Sequence, residues 1–174
     1  MKELKNDFSY PSSILIVEDN PEQSLTLSHI IQKQLGITVD KAKNALDALK
    51  LMDTKRFDII ITDINMPDMS GIDLINEAQR RNHNAFFIII SGSEKPQHLL
   101  ESIRLGVIDF IVKPFDFKEV HETINRVLEI CVSKNKIRSI IAATEPELLE
   151  RIAKEERKIT LLRLFNNEKR SHHS

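Results

Sequence analysis

Four short, almost uninterrupted runs of Ile, Val and Phe divide the first 113 residues of the chain. They cover residues 13–17, 57–62, 86–90 and 110–112. A strand with one face in water alternates apolar and polar residues, whereas a parallel strand covered on both faces is apolar throughout. These runs therefore predict four buried parallel strands. A weaker run at residues 37–41, where Thr38 and Asp40 alternate with apolar residues, predicts an edge strand.

Helical stretches separate these runs. They lie at residues 21–35, 45–52, 72–81, 97–105 and 117–132, and Asn44 is placed to cap the second of them. A strand followed by a helix, five times over, predicts right-handed crossovers and a five-stranded parallel sheet with helices on both faces. The predicted fold class is therefore doubly wound α/β. In this class, ligands bind beyond the carboxyl ends of the strands.

Length and composition limit the remaining possibilities. The 174 residues, 41% apolar and 29% charged, suit one globular domain with an extension. Residues 1–10 are mixed in charge without an apolar signal region, and no apolar run approaches the roughly 20 residues that cross a bilayer. We therefore expect a soluble cytoplasmic protein. The single cysteine, Cys131, follows an apolar helical spacing and is interpreted as a core residue.

Polar side chains follow the ends of four of the predicted strands. They are Glu18 and Asp19 after the first, Asp63 after the third, Ser91 after the fourth and Lys113 after the fifth. Singly, each is more typical of a turn or a solvated surface. Three carboxylates at one sheet edge would repel each other without a cation, and oxygen ligands without His or Cys favour Mg²⁺ or Mn²⁺. Asp63 and Lys113 suit a carboxylate nucleophile for phosphorus and a neutralising ammonium.

Longer motifs surround these residues and carry a resemblance to a known family. They are Glu18-Asp19, Asp63-Ile64-Asn65-Met66-Pro67, Gly71, Ser91-Gly92 and Asp109-Phe110-Ile111-Val112-Lys113-Pro114-Phe115. In this order, residues 12–132 resemble the receiver domains of two-component response regulators. The resemblance implies a flavodoxin-like sheet of order 2-1-3-4-5. It also implies a signalling protein that accepts a phosphoryl group from a histidine kinase or phosphotransfer protein, and that is no enzyme beyond self-catalysed transfer and slow autodephosphorylation.

The same resemblance assigns roles to individual residues. Asp63 matches the phosphoacceptor of receiver domains. Asp19 matches a direct ligand of Mg²⁺ or Mn²⁺, Glu18 an acid acting through water, and Asn65 a ligand through its backbone carbonyl. The Ser91 hydroxyl and the Lys113 ammonium match the groups that bind phosphoryl oxygens.

Two further features follow from the resemblance, and two departures from it are mild. Lys113-Pro114 is expected in the cis form. Phe110 matches an aromatic switch residue, although an ordinary core phenylalanine fits the sequence equally well. The acidic pair is Glu18-Asp19, where many relatives have two aspartates, and Ser91 stands where threonine is also common.

The sequence divides into four segments. We expect an N-terminal segment at residues 1–11, the receiver at 12–132, helices at 133–166 and a disordered tail at 167–174. The fifth helix is predicted to reach about residue 142, and Thr144 to open a capping box before a last helix at 145–166. Along that last helix, apolar residues recur at heptad-like spacing, broken by one acid: Leu148, Ile152, Glu155, Ile159 and Leu162.

This stripe predicts a partner surface, which three alternatives could supply: the chain's own fifth helix, a second copy, or another protein. A homodimer is expected either through these helices or through the surface of the fourth helix, fifth strand and fifth helix. Residues 131–174 are basic, with 10 Lys and Arg against 6 Asp and Glu. They are expected to be too few for a winged-helix or ATPase output domain and lack a glycine-marked helix-turn-helix, so DNA binding is disfavoured.

Two rival functions remain open. An aspartate-nucleophile phosphohydrolase of the haloacid-dehalogenase kind also uses Asp, Lys and Mg²⁺ at strand ends. It usually needs a second aspartate two residues after the nucleophile, where this chain has Asn65. An unphosphorylated receiver-like scaffold would serve only protein contacts, but such modules tend to have lost site residues that this chain keeps.

Overall fold

A computed structural model of the protein describes residues 13–92 and 96–171. Within these ranges the chain forms five strands and six helices. In order they are β1 (Ile14–Val17), α1 (Pro21–Leu35), β2 (Val39–Ala42), α2 (Ala45–Thr54), β3 (Ile59–Asp63), α3 (Gly71–Arg80), β4 (Phe86–Ser91), α4 (Pro96–Leu105), β5 (Asp109–Val112), α5 (Phe117–Thr144) and α6 (Pro146–Ser171). The predicted alternation of strand and helix is confirmed.

The five strands form one parallel sheet in the order β2-β1-β3-β4-β5. This confirms the predicted fold class and strand order. The chain steps outward from β1 to β2 and then in the opposite direction from β3 to β5. The reversal opens a crevice beyond the carboxyl ends of β1 and β3, which is where ligands bind in open α/β sheets.

Two apolar clusters cover the two faces of the sheet, because alternate strand residues point to opposite sides. Leu15 and Val17 lie in one cluster with the buried faces of α2 and α3. Ile14 and Ile16 lie in the other with α1 and α5. Cys131 of α5 belongs to the second cluster and is buried, as predicted.

Several element boundaries differ from the predicted ones. β2 begins at Val39 rather than at residue 37, because its partner β1 has four residues and Ile14 pairs with Val39. Asn44 caps α2 as predicted, with its side chain accepting from the Asp47 amide at 2.8 Å. Helix α1 ends at Gly36, whose φ of 63° is a left-handed conformation that glycine adopts without strain.

The two tail helices join more tightly than the sequence suggests. α5 runs without interruption for 28 residues to Thr144, and α6 begins two residues later. The predicted capping box is wrong: the Thr144 hydroxyl donates to the Ile140 carbonyl at 2.9 Å within α5. The Glu145 carbonyl instead accepts from the amides of Leu148 and Leu149.

Helix α6 continues past the predicted end at residue 166 to Ser171, into the segment expected to be disordered. No Gly or Pro between residues 147 and 171 would stop it. Residues 172–174, with His172-His173, lie outside the described residues, as do residues 1–12.

Helix α6 folds back along α5 and also approaches α3 and α4. The chain's own fifth helix therefore supplies part of the partner surface that the α6 stripe predicted. Leu148 and Ile152 are half-buried, whereas Ile159 and Leu162 remain exposed. Among the described helices, none has a stretch long and apolar enough to span a bilayer.

Candidate functional site

Three carboxylates meet at the carboxyl ends of β1 and β3. β1 pairs with β3 so that Val17 lies beside Thr62, which brings the residues after each strand together. Glu18, Asp19 and Asp63 each offer an oxygen within 4.8 Å of the others. Glu18 and Asp63 are buried and Asp19 is exposed, so the acidic cluster opens to solvent on the Asp19 side.

Lys113 reaches this cluster from the end of β5. Its ammonium donates to Glu18 Oε2 at 2.9 Å and also to Asp63 Oδ2. The exposed fractions of these side chains are only 17% for Lys113, 1% for Glu18 and 7% for Asp63. One cation therefore bridges two buried carboxylates from two different strands.

Burial and this bridge act in opposite directions on the pKa values. Burial raises the pKa of the Glu18 carboxyl above its ordinary value, and the Lys113 hydrogen bond only partly offsets the rise. For Lys113, burial lowers the pKa, but the hydrogen bonds to Asp63 and Glu18 outweigh it and the net shift is upward. Lys113 is therefore firmly protonated at neutral pH.

Backbone contacts hold the Asp63 carboxylate and its main chain in place. Its Oδ1 accepts from the Asn65 amide at 2.9 Å, and its main-chain carbonyl accepts from the Thr62 hydroxyl at 3.0 Å. The Gly71 amide donates to the Ile64 carbonyl at 3.0 Å, which ties the start of α3 to the chain just after β3. Both carboxylate oxygens of Asp63 thus have a donor.

The remaining predicted site residues lie on β4 and β5. Ser91 is the last residue of β4, and its carbonyl accepts from the Lys113 amide at 2.8 Å. A Cβ added at Gly92 would meet the Lys113 Cβ at 3.6 Å, an ordinary contact distance. Phe110 is half-buried and packs against the cluster on the α2 and α3 side of the sheet. The Lys113-Pro114 bond is cis, as expected.

The donor set fits a small divalent cation. Three carboxylates face one ammonium, so negative charge remains in excess, and two of the carboxylates are buried where water screens them poorly. All the donors are oxygens, which suits Mg²⁺ or Mn²⁺. A cleft of about 370 Å³ adjoins the cluster, with Lys41, Lys43 and Asp47 among its lining residues.

Two contributing residues were missed by the sequence reasoning. Asn20 caps α1 with its side chain, and its amide donates to Glu18 Oε1 at 3.1 Å. The Thr62 hydroxyl donates to the Asp63 main-chain carbonyl, from a position that the sequence predicts only as part of a strand. An Asn two residues before a helical Glu-Gln is a recognisable cap signal, whereas nothing in the sequence marks Thr62.

The fold and site together define a doubly wound α/β protein with an acidic pocket and a lysine at its switch point. Residues 14–125 match the family described as response regulator receiver domain. The chain is 36% identical over 114 residues to the chemotaxis protein CheY of Thermotoga maritima, covering 66% of this chain and 95% of CheY. The Vibrio cholerae chemotaxis protein CheY4 has a solved structure with a TM-score of 0.64 and 28% identity, covering 68% of this chain and 99% of CheY4.

In longer relatives, the match to this chain covers only a part of their length. The Helicobacter pylori transcriptional regulatory protein FlgR is 34% identical over 123 residues, which are 71% of this chain but 31% of FlgR.

The chain belongs to the response regulator receiver family, which confirms the predicted family. Its role is that of a phosphoacceptor module in two-component signalling rather than a conventional enzyme. Receiver domains bind Mg²⁺ in an acidic pocket and interact with histidine kinases and downstream targets.

Proposed function

We propose that Asp63 is the residue that accepts the phosphoryl group. The observation that carries this proposal is the Lys113 ammonium shared between Asp63 and Glu18. A carboxylate held by an ammonium and a backbone amide is oriented before the donor arrives, so little reorganisation accompanies the reaction. Asp63 also belongs to the acidic cluster with Glu18 and Asp19, which a cation can use.

A bound Mg²⁺ or Mn²⁺ would be held by Asp19 and Asp63 directly, by Glu18 through water and by the Asn65 backbone carbonyl. When bound, it neutralises charge on the transferred oxygens. The cation would enter from the side of the exposed Asp19. The buried Glu18 contributes negative charge while keeping its bond to Lys113.

The transfer step takes place between this chain's Asp63 carboxylate and a phosphohistidine of a histidine kinase or phosphotransfer protein. An Asp63 carboxylate oxygen attacks phosphorus, the bond from phosphorus to the histidine nitrogen breaks, and the electron pair leaves with the imidazole. Lys113 then pairs with a phosphoryl oxygen, and the Ser91 hydroxyl donates to another. The transfer is self-catalysed, and slow autodephosphorylation, the hydrolysis of the aspartyl phosphate, later restores Asp63.

The signal passes through the surface formed by α4, β5 and α5, defined here as the output surface. Ser91 ends β4, and Phe110 lies on the neighbouring strand opposite Ile89. Movement of the Ser91 hydroxyl toward the phosphoryl group vacates space that the Phe110 ring fills. Exposed apolar residues mark the output surface as a contact area for a downstream protein: Leu100, Ile103 and Val112.

We assign the receiver to residues 12–132 and a partner-binding role, including homodimerisation, to the helices that follow. The protein acts in the cytoplasm, where its phosphodonors act. A phosphohydrolase role lacks support because Asn65, rather than an acid, stands two residues after Asp63. A scaffold role would not require the bridged carboxylates.

Intact mass spectrometry tests the proposal. The protein is incubated with Mg²⁺ and acetyl phosphate, with an EDTA sample and the Asp63→Asn variant as controls. We expect the mass of one phosphoryl group to be gained, and to be absent from both controls. No gain in the wild type favours the scaffold, and sustained phosphate release from unrelated phosphomonoesters favours the hydrolase.

A further inference from the structure

The side chain of Glu119 bonds to strand β5 rather than to its own helix. Asp116 caps α5, so Glu119 is the third residue of that helix. In a capping box, the carboxylate at this position turns back to the backbone amide of the cap residue. The Glu119 carboxylate instead accepts from the Val112 amide at 3.1 Å. Val112 precedes the cap residue and belongs to β5, so helix capping does not account for this contact.

The Val112 amide points away from the sheet. β5 is an edge strand, and its only neighbour is β4. The next amide along the chain, that of Lys113, donates to the Ser91 carbonyl of β4 at 2.8 Å. Successive N–H groups of a strand point to opposite sides, so the Val112 N–H lies on the free edge. Consecutive amides are therefore fixed on opposite sides of β5, one by the sheet and one by Glu119.

The same glutamate also holds the far end of the segment that carries Lys113. We call residues 113–116 the lysine segment. The backbone amide of Glu119 donates to Oδ1 of Asp116, the last residue of the segment, at 2.8 Å. Within the segment, Pro114 has no N–H to donate. One residue of α5 thus holds the strand before the lysine segment through its side chain and the end of the segment through its backbone.

Lys113 must reach far to make its two ion pairs. Asp63 ends β3, and β4 lies between β3 and β5. Two strand spacings amount to about 10 Å, so the lysine side chain extends over the end of β4 to meet the carboxylate. Glu18 follows β1, one strand further away. A small displacement of the Lys113 backbone would therefore withdraw the ammonium from both carboxylates.

We infer that Glu119 is a positioning residue for Lys113, and that it sets the reach of the ammonium by bracing the lysine segment between β5 and α5. This inference rests on the proposed function, in which Lys113 pairs with a phosphoryl oxygen. The bonds of Glu119 are to Val112 and Asp116, so it acts through the backbone of the segment. Misplacement of a reacting group by about 1 Å can cost about a hundredfold in rate, so such a brace affects the chemistry.

Two substitutions separate the reach of the Glu119 side chain from its charge. A negative charge in the first turn is by itself favourable at a helix N-terminus, which is the rival explanation. Glu119→Gln removes the charge but keeps an acceptor oxygen at the same distance from the backbone. Glu119→Asp keeps the charge but is one methylene shorter. Positioning predicts that the Gln variant resembles the wild type and the Asp variant resembles Glu119→Ala, whereas a charge role predicts the reverse.

The first measurement follows the Lys113 ammonium itself. Lysine side-chain ¹⁵N spectra are recorded on the full chain without Mg²⁺ or phosphodonor, and Lys113→Arg assigns the signal. Its hydrogens should exchange slowly in the wild type, since two buried carboxylates hold the ammonium. We expect exchange to be about tenfold faster in Glu119→Ala and Glu119→Asp, and unchanged in Glu119→Gln. Glu122→Ala is the matched control, because it removes a 58% exposed carboxylate from the same helix.

The second measurement is the rate of phosphorylation by acetyl phosphate across a Mg²⁺ titration. The maximal rate should fall about tenfold or more in Glu119→Ala and Glu119→Asp, because the ammonium is misplaced. The Mg²⁺ concentration at half-maximal rate should not rise, because the acidic cluster is intact. Glu119→Gln and Glu122→Ala should behave like the wild type. A merely structural role would lower the melting temperature without altering the Lys113 signal of the folded protein.

The two measurements keep the inference separate from the proposed function. If the wild type gains no phosphoryl group, the proposed function fails, and ammonium exchange still decides whether Glu119 positions Lys113. If Glu119→Ala does not fold, the Gln and Asp variants provide the same comparison. Wild-type exchange of the Lys113 ammonium in Glu119→Asp would overturn the inference. Equal impairment of the Gln and Asp variants would also overturn it.

Discussion

The backbones of Gly71 and Asp63 meet at the start of α3. A Cβ added at Gly71 would overlap the Asp63 carbonyl and lie 3.0 Å from Thr62 Oγ1. The overlapping Asp63 atoms are main chain rather than the end of a flexible side chain, so they cannot move aside cheaply. Gly71 therefore has a steric role beside the proposed phosphoacceptor, which the motif resemblance alone did not explain.

Gly71→Ala should destabilise the protein. We expect a loss of about 1–3 kcal/mol in the free energy of unfolding, since relief of the overlap requires α3 to shift away from β3. Urea denaturation measures the loss. Gly92→Ala is the control, because a Cβ there makes only an ordinary 3.6 Å contact. Equal stability of the two variants would refute the steric role.

Lys113→Ala should destabilise the protein more strongly in EDTA than in Mg²⁺. Without the ammonium, the buried Glu18 and Asp63 carboxylates lack a countercharge, which costs about 3 kcal/mol in comparable cases. A cation bound to the carboxylates would recover part of that loss. Thermal unfolding of wild type and variant, with and without Mg²⁺, measures the difference.

Lys118→Ala serves as the control for this comparison. Lys118 is 80% exposed and lies 3.8 Å from Glu122, so its removal should change stability by less than about 0.5 kcal/mol. A Lys113→Ala deficit that is the same in EDTA and in Mg²⁺ would count against a cation at this cluster.

Ser91→Ala should still be phosphorylated but should signal poorly. The acceptor and the acids remain, whereas the hydroxyl that draws the switch toward the phosphoryl group is missing. Amide chemical shifts of Leu100, Ile103 and Val112 on the output surface, before and after addition of acetyl phosphate, report the response. Ser139→Ala, on the exposed end of α5, should respond like the wild type. Wild-type shift changes in Ser91→Ala would exclude this switch role.

The Cys131 thiol should be inert in the folded protein. Burial raises its pKa from 9.0 to about 12, with a smaller contribution from Asp58. At pH 8 the thiolate fraction is then about one in ten thousand, and only thiolate reacts. Ellman's reagent should modify the thiol only after urea is added. Rapid modification in the absence of urea would show that Cys131 is accessible.

The same pKa shift predicts a component of alkaline destabilisation. The unfolded chain releases the thiol proton near pH 9.0, whereas the folded chain retains it to about pH 12. Between these values the unfolded state binds fewer protons, so this component of stability falls as pH rises, by up to about 1.4 kcal/mol per pH unit. Comparing Cys131→Ala with the wild type between pH 8 and pH 10.5 isolates it.

The sequence predicted the parallel sheet and the meeting of the carboxylates because both follow from backbone rules, whereas the strand order was implied by the family resemblance. Buried parallel strands are marked by uninterrupted apolar runs, and residues such as Asp63 and Lys113 follow those runs directly. The bond between Lys113 and Glu18 was not predicted, because it depends on side-chain positions across 95 residues of sequence.

The tail was less predictable for a different reason. Thr144 before Glu145 and Pro146 has the local signature of a helix cap, yet the same threonine can end the preceding helix by bonding to its own turn. The choice depends on where α6 packs, which is a tertiary contact. Likewise, the heptad-like stripe predicted an apolar face, but its spacing did not predict that only Leu148 and Ile152 would be half-buried while Ile159 and Leu162 stay exposed.

The central claim is that Asp63, and no neighbouring acid, carries the phosphoryl group. After incubation with Mg²⁺ and acetyl phosphate, borohydride reduces an aspartyl phosphate to homoserine, which tandem mass spectrometry can locate. We predict homoserine at position 63 alone, and none when Mg²⁺ is removed. Homoserine at Asp19 instead, or unmodified Asp63 in protein that has gained a phosphoryl group, would contradict the account.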